Sequence, residues 1–283
     1  MNNAPIGIFD SGFGGLTVAR TIREALPQES IVYFGDTARC PYGPRPQAEV
    51  QGFVRQICGY LREQGVKIIV IACNTATAAG LAMAQREFDV PIIGVVEPGA
   101  RAAVRSTRSR KVGVLATQGT VDSGAYNAAI AALDAGVQVT SVAAPLFVDL
   151  VERGLREDPE FETHIRTPEF GLAHHPEKEA AAAQIIQTAL APGVDTLVLG
   201  CTHFPVIEPL ISRVAGPHVR LINSARETAH DVMRTLELRD HLCEATHDPV
   251  YTFATTSCDP QEFEQLGEKI FGASLDRIHS VNL

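Results

Sequence analysis

The alternation of short β-branched runs with longer amphipathic segments constrains the fold of this chain more than any other feature. The runs PIGIFD, SIVYFGD and KIIVIAC are each followed by a segment of helical periodicity, such as GGLTVARTIREAL after the first. The second half continues in the same way with KVGVLAT, VQVTSVAA and DTLVLGC. This alternation is typical of βα units, in which helices cover both faces of a largely parallel sheet. We therefore predict an α/β fold.

The two halves of the chain also resemble one another in the turns that follow their strands. IGIFDSGFGGLTV and VGVLATQGTVDSG both run from a strand into a turn that opens a helix, and IIVIACNTA matches TLVLGCTHF. We expect two similar domains with the active site in the cleft between them, because parallel sheets bind ligands beyond the carboxyl ends of their strands. The first domain is predicted to comprise residues 1–97 and 208–283, and the second residues 98–207. Residues 155–179 are predicted to be an irregular surface excursion, with His174 and His175 facing solvent.

A cysteine follows each strand of one matched pair, Cys73 in the first half and Cys201 in the second. Each is predicted to begin a helix or turn, where backbone N–H groups and the helix dipole favour a thiolate. His203 could shuttle a proton with Cys201 and Asp10 could do so with Cys73, although the spacing suits Asp10 equally well as a helix N-cap. Two acid–base groups on opposite faces of a carbon can remove one proton and deliver another, which inverts a stereocentre. A single nucleophilic cysteine would leave the second one unexplained.

Composition and charge argue against several other classes of protein. The 283 residues carry a formal net charge of -9, so we expect no nucleic-acid partner. No apolar stretch approaches the roughly 20 residues of a membrane helix, and no secretion signal precedes the first strand, so we expect a cytoplasmic protein without a membrane partner. The six cysteines include no CxxC pair, and none of the four lysines has a strand-end or glycine-rich setting. We therefore expect reduced thiols, no metal and no cofactor.

Five motifs in order, FDSGFGGLTV, YFGDTARCPYG, ACNTATA, PLFVDLVERG and LVLGCTHFP, closely resemble the glutamate racemases of the cofactor-independent aspartate/glutamate racemase superfamily. The resemblance covers nearly the whole chain. It implies an isomerase that interconverts L- and D-glutamate and so supplies D-glutamate for peptidoglycan synthesis, cell-wall biogenesis and cell shape. Members are usually homodimers. Members activated by a peptidoglycan precursor carry an N-terminal extension, whereas five residues precede Ile6, so we expect no such activation.

The resemblance also implies roles for individual residues. Cys73 is expected to deprotonate the D-enantiomer and Cys201 the L-enantiomer. Asp10 is expected to assist Cys73, while His203 and Glu152 assist Cys201. The remaining substrate contacts carry over to hydroxyl-rich turns and to the CPYG turn, whose donors suit carboxylates. With Asp10 and His203, the implied substrate-binding residues are Ser11, Tyr42, Gly43, Asn74, Thr75, Thr117, Thr120 and Thr202.

Two other functions stay open at this point. Another racemase of the superfamily, acting on aspartate or a hydantoin, would use the same two thiols with a different side-chain pocket. Some glutamate racemases also inhibit DNA gyrase, and such a binding role could be added to catalysis, although no feature of this sequence supports it. Asn223 stands where the family leads us to expect an aspartate, and the sequence assigns it no role in the chemistry.

Overall fold

A computed structural model of the chain describes residues 1–167, 176–244, 246 and 248–283. The strands are β1 (Ile6–Asp10), β2 (Ile31–Gly35), β3 (Ile68–Ile71), β4 (Ile92–Gly94), β5 (Lys111–Ala116), β6 (Gln138–Ala143), β7 (Thr196–Gly200), β8 (Arg220–Asn223), β9 (Tyr251–Thr255) and β10 (Ile278–Ser280). The helices are α1 (Leu16–Ala25), α2 (Gln47–Glu63), α3 (Asn74–Glu87), α4 (Val96–Ser106), α5 (Gln118–Asp122), α6 (Ala125–Leu133), α7 (Pro145–Glu157), α8 (Phe161–His164), α9 (Pro176–Ala189), α10 (Glu208–Ala215), α11 (Ser224–Leu238) and α12 (Pro260–Phe271). Single 3₁₀ turns cover Thr37–Arg39 and Phe204–Ile207.

The strands form two parallel sheets. The first has the order β10-β9-β2-β1-β3-β4, and the second has the order β6-β5-β7-β8. Every strand pair within them is parallel, and all residues of β1, β2, β3 and β7 are buried. Helices cover the sheets, as expected for strands with near-continuous apolar sequences. The predicted α/β fold with two parallel sheets is confirmed.

The strand registers bring the polar turns of each sheet to one edge. In the first sheet Phe9 lies beside Ile71, so Asp10 and Cys73 follow at neighbouring strand ends. In the second sheet Ala116 lies beside Gly200, so the turn after β5 lies beside the one that holds Cys201. The matched motifs thus end up in matched places, as the sequence repeat predicted.

The predicted domain boundary at residue 207 is wrong for β8. Residues 208–283 were all assigned to the first domain, yet β8 pairs with β7 in the second sheet, with Leu199 beside Asn223. The helix α10 before it packs against α9 of the same half. The physical reason is that β8 covers an edge of β7 that would otherwise leave backbone groups unpaired. Asn223 caps α11, because its Oδ1 accepts a hydrogen bond from Ala225 N at 3.0 Å. The rest of the proposed division stays a prediction.

Part of the segment 155–179 is regular. Helix α7 continues to Glu157 and α8 follows, with Leu155, Phe161 and Ile165 buried in the apolar core. The prediction of an irregular excursion is therefore wrong for these residues, which are held by apolar side chains spaced too widely to show periodicity. His174 and His175 lie outside the described residues.

Among the described residues, no helix combines the length and apolar character needed to span a lipid bilayer. The main buried cluster instead contains side chains from both halves, such as Leu16 and Phe253 with Phe147 and Leu197. This shared core joins the two sheets.

One buried ion pair ties three distant segments together. Lys67 Nζ lies 2.5 Å from Glu29 Oε2, and both side chains are almost completely buried. Lys67 also donates to the carbonyl of Asn2 at 2.6 Å, and Glu29 Oε1 accepts from Cys243 N at 3.0 Å. The pair therefore joins the N-terminal residues, the start of β3 and the segment after α11.

We predict that Glu29→Ala lowers the free energy of unfolding by about 3–5 kcal/mol, because it leaves the buried side chain of Lys67 without its carboxylate partner. Urea denaturation at pH 7 measures this change. The control is Glu87→Ala, which breaks the exposed pair of Arg55 and Glu87 and should cost no more than about 1 kcal/mol. Equal losses for the two variants would contradict the structural role of the buried pair.

Candidate active site

A cavity of about 560 Å³ lies where the carboxyl ends of the two sheets meet. Of the residues expected in the site, eleven line it, and they come from both halves: Ser11, Tyr42, Gly43, Cys73, Asn74, Thr75, Thr117, Glu152, Cys201, Thr202 and His203. Asp10 and Thr120 are buried behind this wall and do not line the cavity.

Cys73 is the N-cap of α3. Its sulfur accepts a hydrogen bond from Ala76 N at 3.4 Å, and its thiol donates to Ser11 Oγ at 3.8 Å. Burial, followed by the carboxyl of Asp10, raises the pKa of the Cys73 thiol to about 12. Cys73 therefore holds a proton at neutral pH in the ligand-free protein.

Cys201 has a cationic neighbour instead of a carboxyl. Its sulfur lies 3.8 Å from Nδ1 of His203, whose other ring nitrogen, Nε2, lies 3.3 Å from Glu152 Oε1. Burial lowers the pKa of His203, but the contacts with Cys201 and Glu152 outweigh burial and raise it to about 10. Burial raises the pKa of Glu152, but His203 and Arg156 together bring it below its ordinary value. At neutral pH the ring is therefore an imidazolium held between a sulfur and a carboxylate.

Asp10 links the two halves of the site. Its Oδ2 accepts from Gly12 N at 3.1 Å, and its Oδ1 accepts from the hydroxyl of Thr202 at 3.3 Å. Burial raises the pKa of Asp10, and the nearby His203 and backbone N–H groups oppose this shift without cancelling it. Thr17 makes a second link, donating its hydroxyl to the carbonyl of Thr202 at 3.1 Å.

Glycine is required where these two turns touch. A Cβ on Gly14 would lie 2.6 Å from ring atoms of His203 and 2.7 Å from Thr202 Oγ1. A Cβ on Gly15 would lie 2.4 Å from Cβ of Asp10. Gly14 thus allows the turn that holds Thr202 and His203 to approach closely, whereas Gly15 allows its own turn to pack against Asp10.

Threonine hydroxyls make a second bridge on the other side of the cavity. Thr75 Oγ1 lies 2.8 Å from Thr117 Oγ1 and 3.4 Å from Thr120 Oγ1, and the last two are 3.0 Å apart. Backbone atoms meet beside them, since Gly119 N donates to the carbonyl of Gly43 at 2.9 Å. Hydroxyl groups and the N-termini of α3 and α5 therefore surround this part of the cavity.

Two predicted contact residues use their polar atoms elsewhere. The hydroxyl of Tyr42 donates to Asp36, which also accepts from the hydroxyl of Thr256. The side-chain oxygen of Asn74 accepts from the hydroxyl of Tyr126 at 2.8 Å. Tyr42 and Asn74 still line the cavity, but these oxygens already have protein partners.

The cavity wall also contains residues that the sequence reasoning did not place there, among them Cys40, Gln118, Arg156 and Glu262. A signal existed for Arg156, which follows Glu152 by four residues on a helix and so shares its face. No local signal could bring in Glu262, which lies over 100 residues away on α12. Within the described residues, no group of three or more His, Cys, Asp or Glu side chains is arranged to hold a metal ion.

A family model described as Asp/Glu/Hydantoin racemase matches residues 14–232. This chain belongs to that family of racemases. A curated glutamate racemase from Corynebacterium diphtheriae is 46% identical over 278 residues, covering 98% of each chain.

Solved structures agree with this assignment. A glutamate racemase from Bacillus anthracis has a TM-score of 0.88 and 37% identity, covering 100% of this chain and 99% of its own. A glutamate racemase from Francisella tularensis, in complex with D-glutamate, has a TM-score of 0.85 and 31% identity, covering 100% of this chain and 98% of its own.

We predict that iodoacetamide modifies the exposed Cys258 well before Cys73 at pH 7.5, because alkylation requires a thiolate. The rate at Cys73 should rise about tenfold for each pH unit, since its thiolate fraction does so below the pKa. Peptide mass spectrometry at several pH values measures both rates. Cys58, which burial also shifts to a pKa of about 12, is the control outside the cavity. Labelling of Cys73 at a rate independent of pH would contradict the assigned protonation.

We predict that His203 stabilises the folded protein in a pH-dependent way. Its folded pKa of about 10 exceeds the ordinary value of 6.5, so its contribution is complete below pH 6.5 and is lost as the pH rises through about 10. Urea denaturation of the protein and of His203→Gln, between pH 6 and pH 9.5, should show a stability difference that shrinks with rising pH. A stability difference that does not change with pH would contradict the ion pair between the protonated ring of His203 and Glu152.

Proposed function

We propose that the protein is a glutamate racemase, in which one cysteine removes the α-proton of glutamate and the other delivers a proton to the opposite face. The observation that carries this proposal is the pair of buried cysteines at matched strand ends of one cavity, each with its own acid–base partner. Cys73 has Asp10 nearby, and Cys201 has His203 and Glu152.

The two ends of the cavity differ in charge, which suits the two halves of the reaction. With L-glutamate, Cys201 accepts the α-proton beside the imidazolium of His203, and Cys73 donates its proton from the other side. With D-glutamate the roles are reversed. Each thiol therefore acts as a base for one enantiomer and as an acid for the other. Each turnover leaves the two thiols with their protonation states exchanged, so proton exchange with water restores the starting state before the next molecule of the same enantiomer reacts.

Binding of glutamate requires donors for its two carboxylates. Catalysis further requires that the hydrogen bonds to these carboxylates become stronger as negative charge develops at the α-carbon. The hydroxyl of Ser11 and the N-terminal amides of α3 supply donors at the cavity, and the hydroxyl oxygens of Thr75, Thr117 and Thr202 add polar atoms to its wall. Thr120 supports the hydroxyls of Thr75 and Thr117 from behind. Gly43 and Tyr42 contribute backbone and ring surface on the same wall.

The choice of glutamate rests on the relatives. The curated relatives from Corynebacterium diphtheriae and Corynebacterium glutamicum are both glutamate racemases, at 46% and 45% identity over 98% of this chain. We further propose that the product serves peptidoglycan synthesis, and that the protein acts in the cytoplasm as a homodimer. No observation on this chain favours a gyrase-binding role.

We predict that the purified protein, without added cofactor, racemises L-glutamate in deuterium oxide. The circular dichroism of the amino acid should decay to zero while deuterium enters the α-position, because the cysteine that delivers the proton exchanges with solvent. Polarimetry or circular dichroism gives the first quantity and proton NMR gives the second. EDTA should change neither.

Cysteine variants test the assigned bases. Cys73→Ala and Cys201→Ala should each lower racemisation by about 10³-fold or more, since each removes a proton-transfer group. Cys258→Ala, at an exposed residue that does not line the cavity, should leave the rate unchanged. Full activity in either active-site variant would overturn the two-base mechanism. Racemisation of aspartate or a hydantoin in place of glutamate would keep the mechanism and reassign the substrate.

A further inference from the structure

Arg156 is a charged residue in the cavity wall that the proposed mechanism does not use. Its Nε lies 2.8 Å from Glu262 Oε1, and its Nη1 lies 3.3 Å from Glu152 Oε2. The guanidinium also lies over the ring of Phe13, 5.8 Å from the centroid, and that ring packs at 5.8 Å against the ring of His203. Arg156 therefore contacts three of the residues that surround His203 and the cavity.

The ion pair with Glu262 joins the two halves of the molecule. Arg156 lies on α7, which follows β6 of the second sheet, whereas Glu262 lies on α12, which packs against α1 of the first half. A parallel link lies close by, since Lys269 of α12 donates to the carbonyl of Leu155 on α7 at 2.6 Å. The guanidinium is thus fixed with respect to both walls of the cavity.

Glu152 divides its carboxylate between two cations. Oε1 faces Nε2 of His203 and Oε2 faces Arg156, at 3.3 Å in each case. Nε2 of His203 is buried, and Glu152 Oε1 is its ion-pair partner at 3.3 Å without completing a hydrogen bond. The two oxygens belong to one rigid carboxylate, so the contact of Oε2 with Arg156 also sets the orientation of Oε1 toward His203.

We propose that Arg156 is a positioning residue for the Cys201 side of the reaction, which holds Glu152 against His203 through a bridge anchored on Glu262. This inference rests on the proposed function. Its physical basis is the planar guanidinium, which contacts two carboxylates in a fixed geometry. A role in stability is a poor alternative, because exposed ion pairs stabilise little and the side chain of Arg156 is 41% exposed.

Kinetic isotope effects can separate positioning from general damage. The isotope effect with α-deuterated L-glutamate reports proton removal at Cys201, and the one with α-deuterated D-glutamate reports removal at Cys73. For Arg156→Gln we expect kcat/KM to fall about tenfold, since small misplacements of a catalytic group are costly. The fall must be equal in both directions, because two enantiomers have an equilibrium constant of one.

The result that distinguishes positioning from general damage is a change of opposite sign in the two isotope effects. In Arg156→Gln the isotope effect on kcat/KM should rise for L-glutamate and fall for D-glutamate, because the step at Cys201 becomes more rate-limiting. Arg156→Lys should be faster than Arg156→Gln but slower than the unmodified protein, since an ammonium keeps the positive charge but lacks the planar set of N–H donors of a guanidinium. Glu262→Gln should give the same opposite changes with a smaller loss of rate.

The matched control is Arg153→Gln. Arg153 lies on the same helix and makes the same kind of pair, at 2.8 Å with Asp149, but it does not line the cavity. Its isotope effects should equal those of the unmodified protein. Equal isotope-effect changes for both enantiomers in Arg156→Gln, or the same opposite changes in Arg153→Gln, would overturn the proposal. Opposite changes of the two isotope effects in Arg156→Gln, without such changes in Glu262→Gln, would show that the ion pair with Glu262 does not anchor Arg156.

A crystal structure of ligand-free Arg156→Gln tests the proposal without any substrate. The expected result is a longer separation between Glu152 Oε1 and His203 Nε2 with the rest of the site unchanged. An unaltered separation would overturn the positioning role even if the protein racemised glutamate. Absence of glutamate racemisation by the unmodified protein would reject the proposed function alone, and this structure would still decide the role of Arg156.

Discussion

The contact between the turn after β7 and the loop after β1 is the constraint on which the site depends. Gly14 has no side-chain atoms to keep these segments apart, and Asp10 and Thr17 then make hydrogen bonds with Thr202 across the gap. This approach brings the sulfur of Cys201 and its imidazole partner to the same cavity as Cys73. A bulkier residue at Gly14 would separate two groups that are useful only when they face one carbon. The shared apolar core alone would not fix their separation so closely.

Similar local sequences produce different electrostatic surroundings at the two thiols. Both cysteines follow a buried parallel strand, yet Cys73 has a buried carboxyl nearby and Cys201 has a cationic ring. A substrate that is deprotonated on one face must be protonated on the other, so opposite surroundings are more useful than identical ones. The repeat in the fold supplies the placement, while Asp10 of β1 near Cys73 and His203 beside Cys201 supply the difference.

Much of this arrangement could be predicted from the sequence, because it depends on local patterns. Apolar runs predicted the strands, and cysteines after matched strands predicted the facing thiols, since parallel strands end at a common edge. Contacts between residues far apart in sequence left no such pattern. The pairing of β8 with β7, the bond from Tyr42 to Asp36, and the bridge from Arg156 to Glu262 all depend on how separate segments pack. Hydroxyl and carboxylate partners of this kind cannot be read from periodicity.

The three threonine hydroxyls of Thr75, Thr117 and Thr120 form a closed ring in which either member of each pair can donate. Such a ring has two proton orders of opposite sense, and they interconvert by rotation about C–O bonds without movement of any heavy atom. Because the sense of this ring can reverse, this part of the cavity wall can change which hydroxyl donates and which accepts while both sheets stay in place.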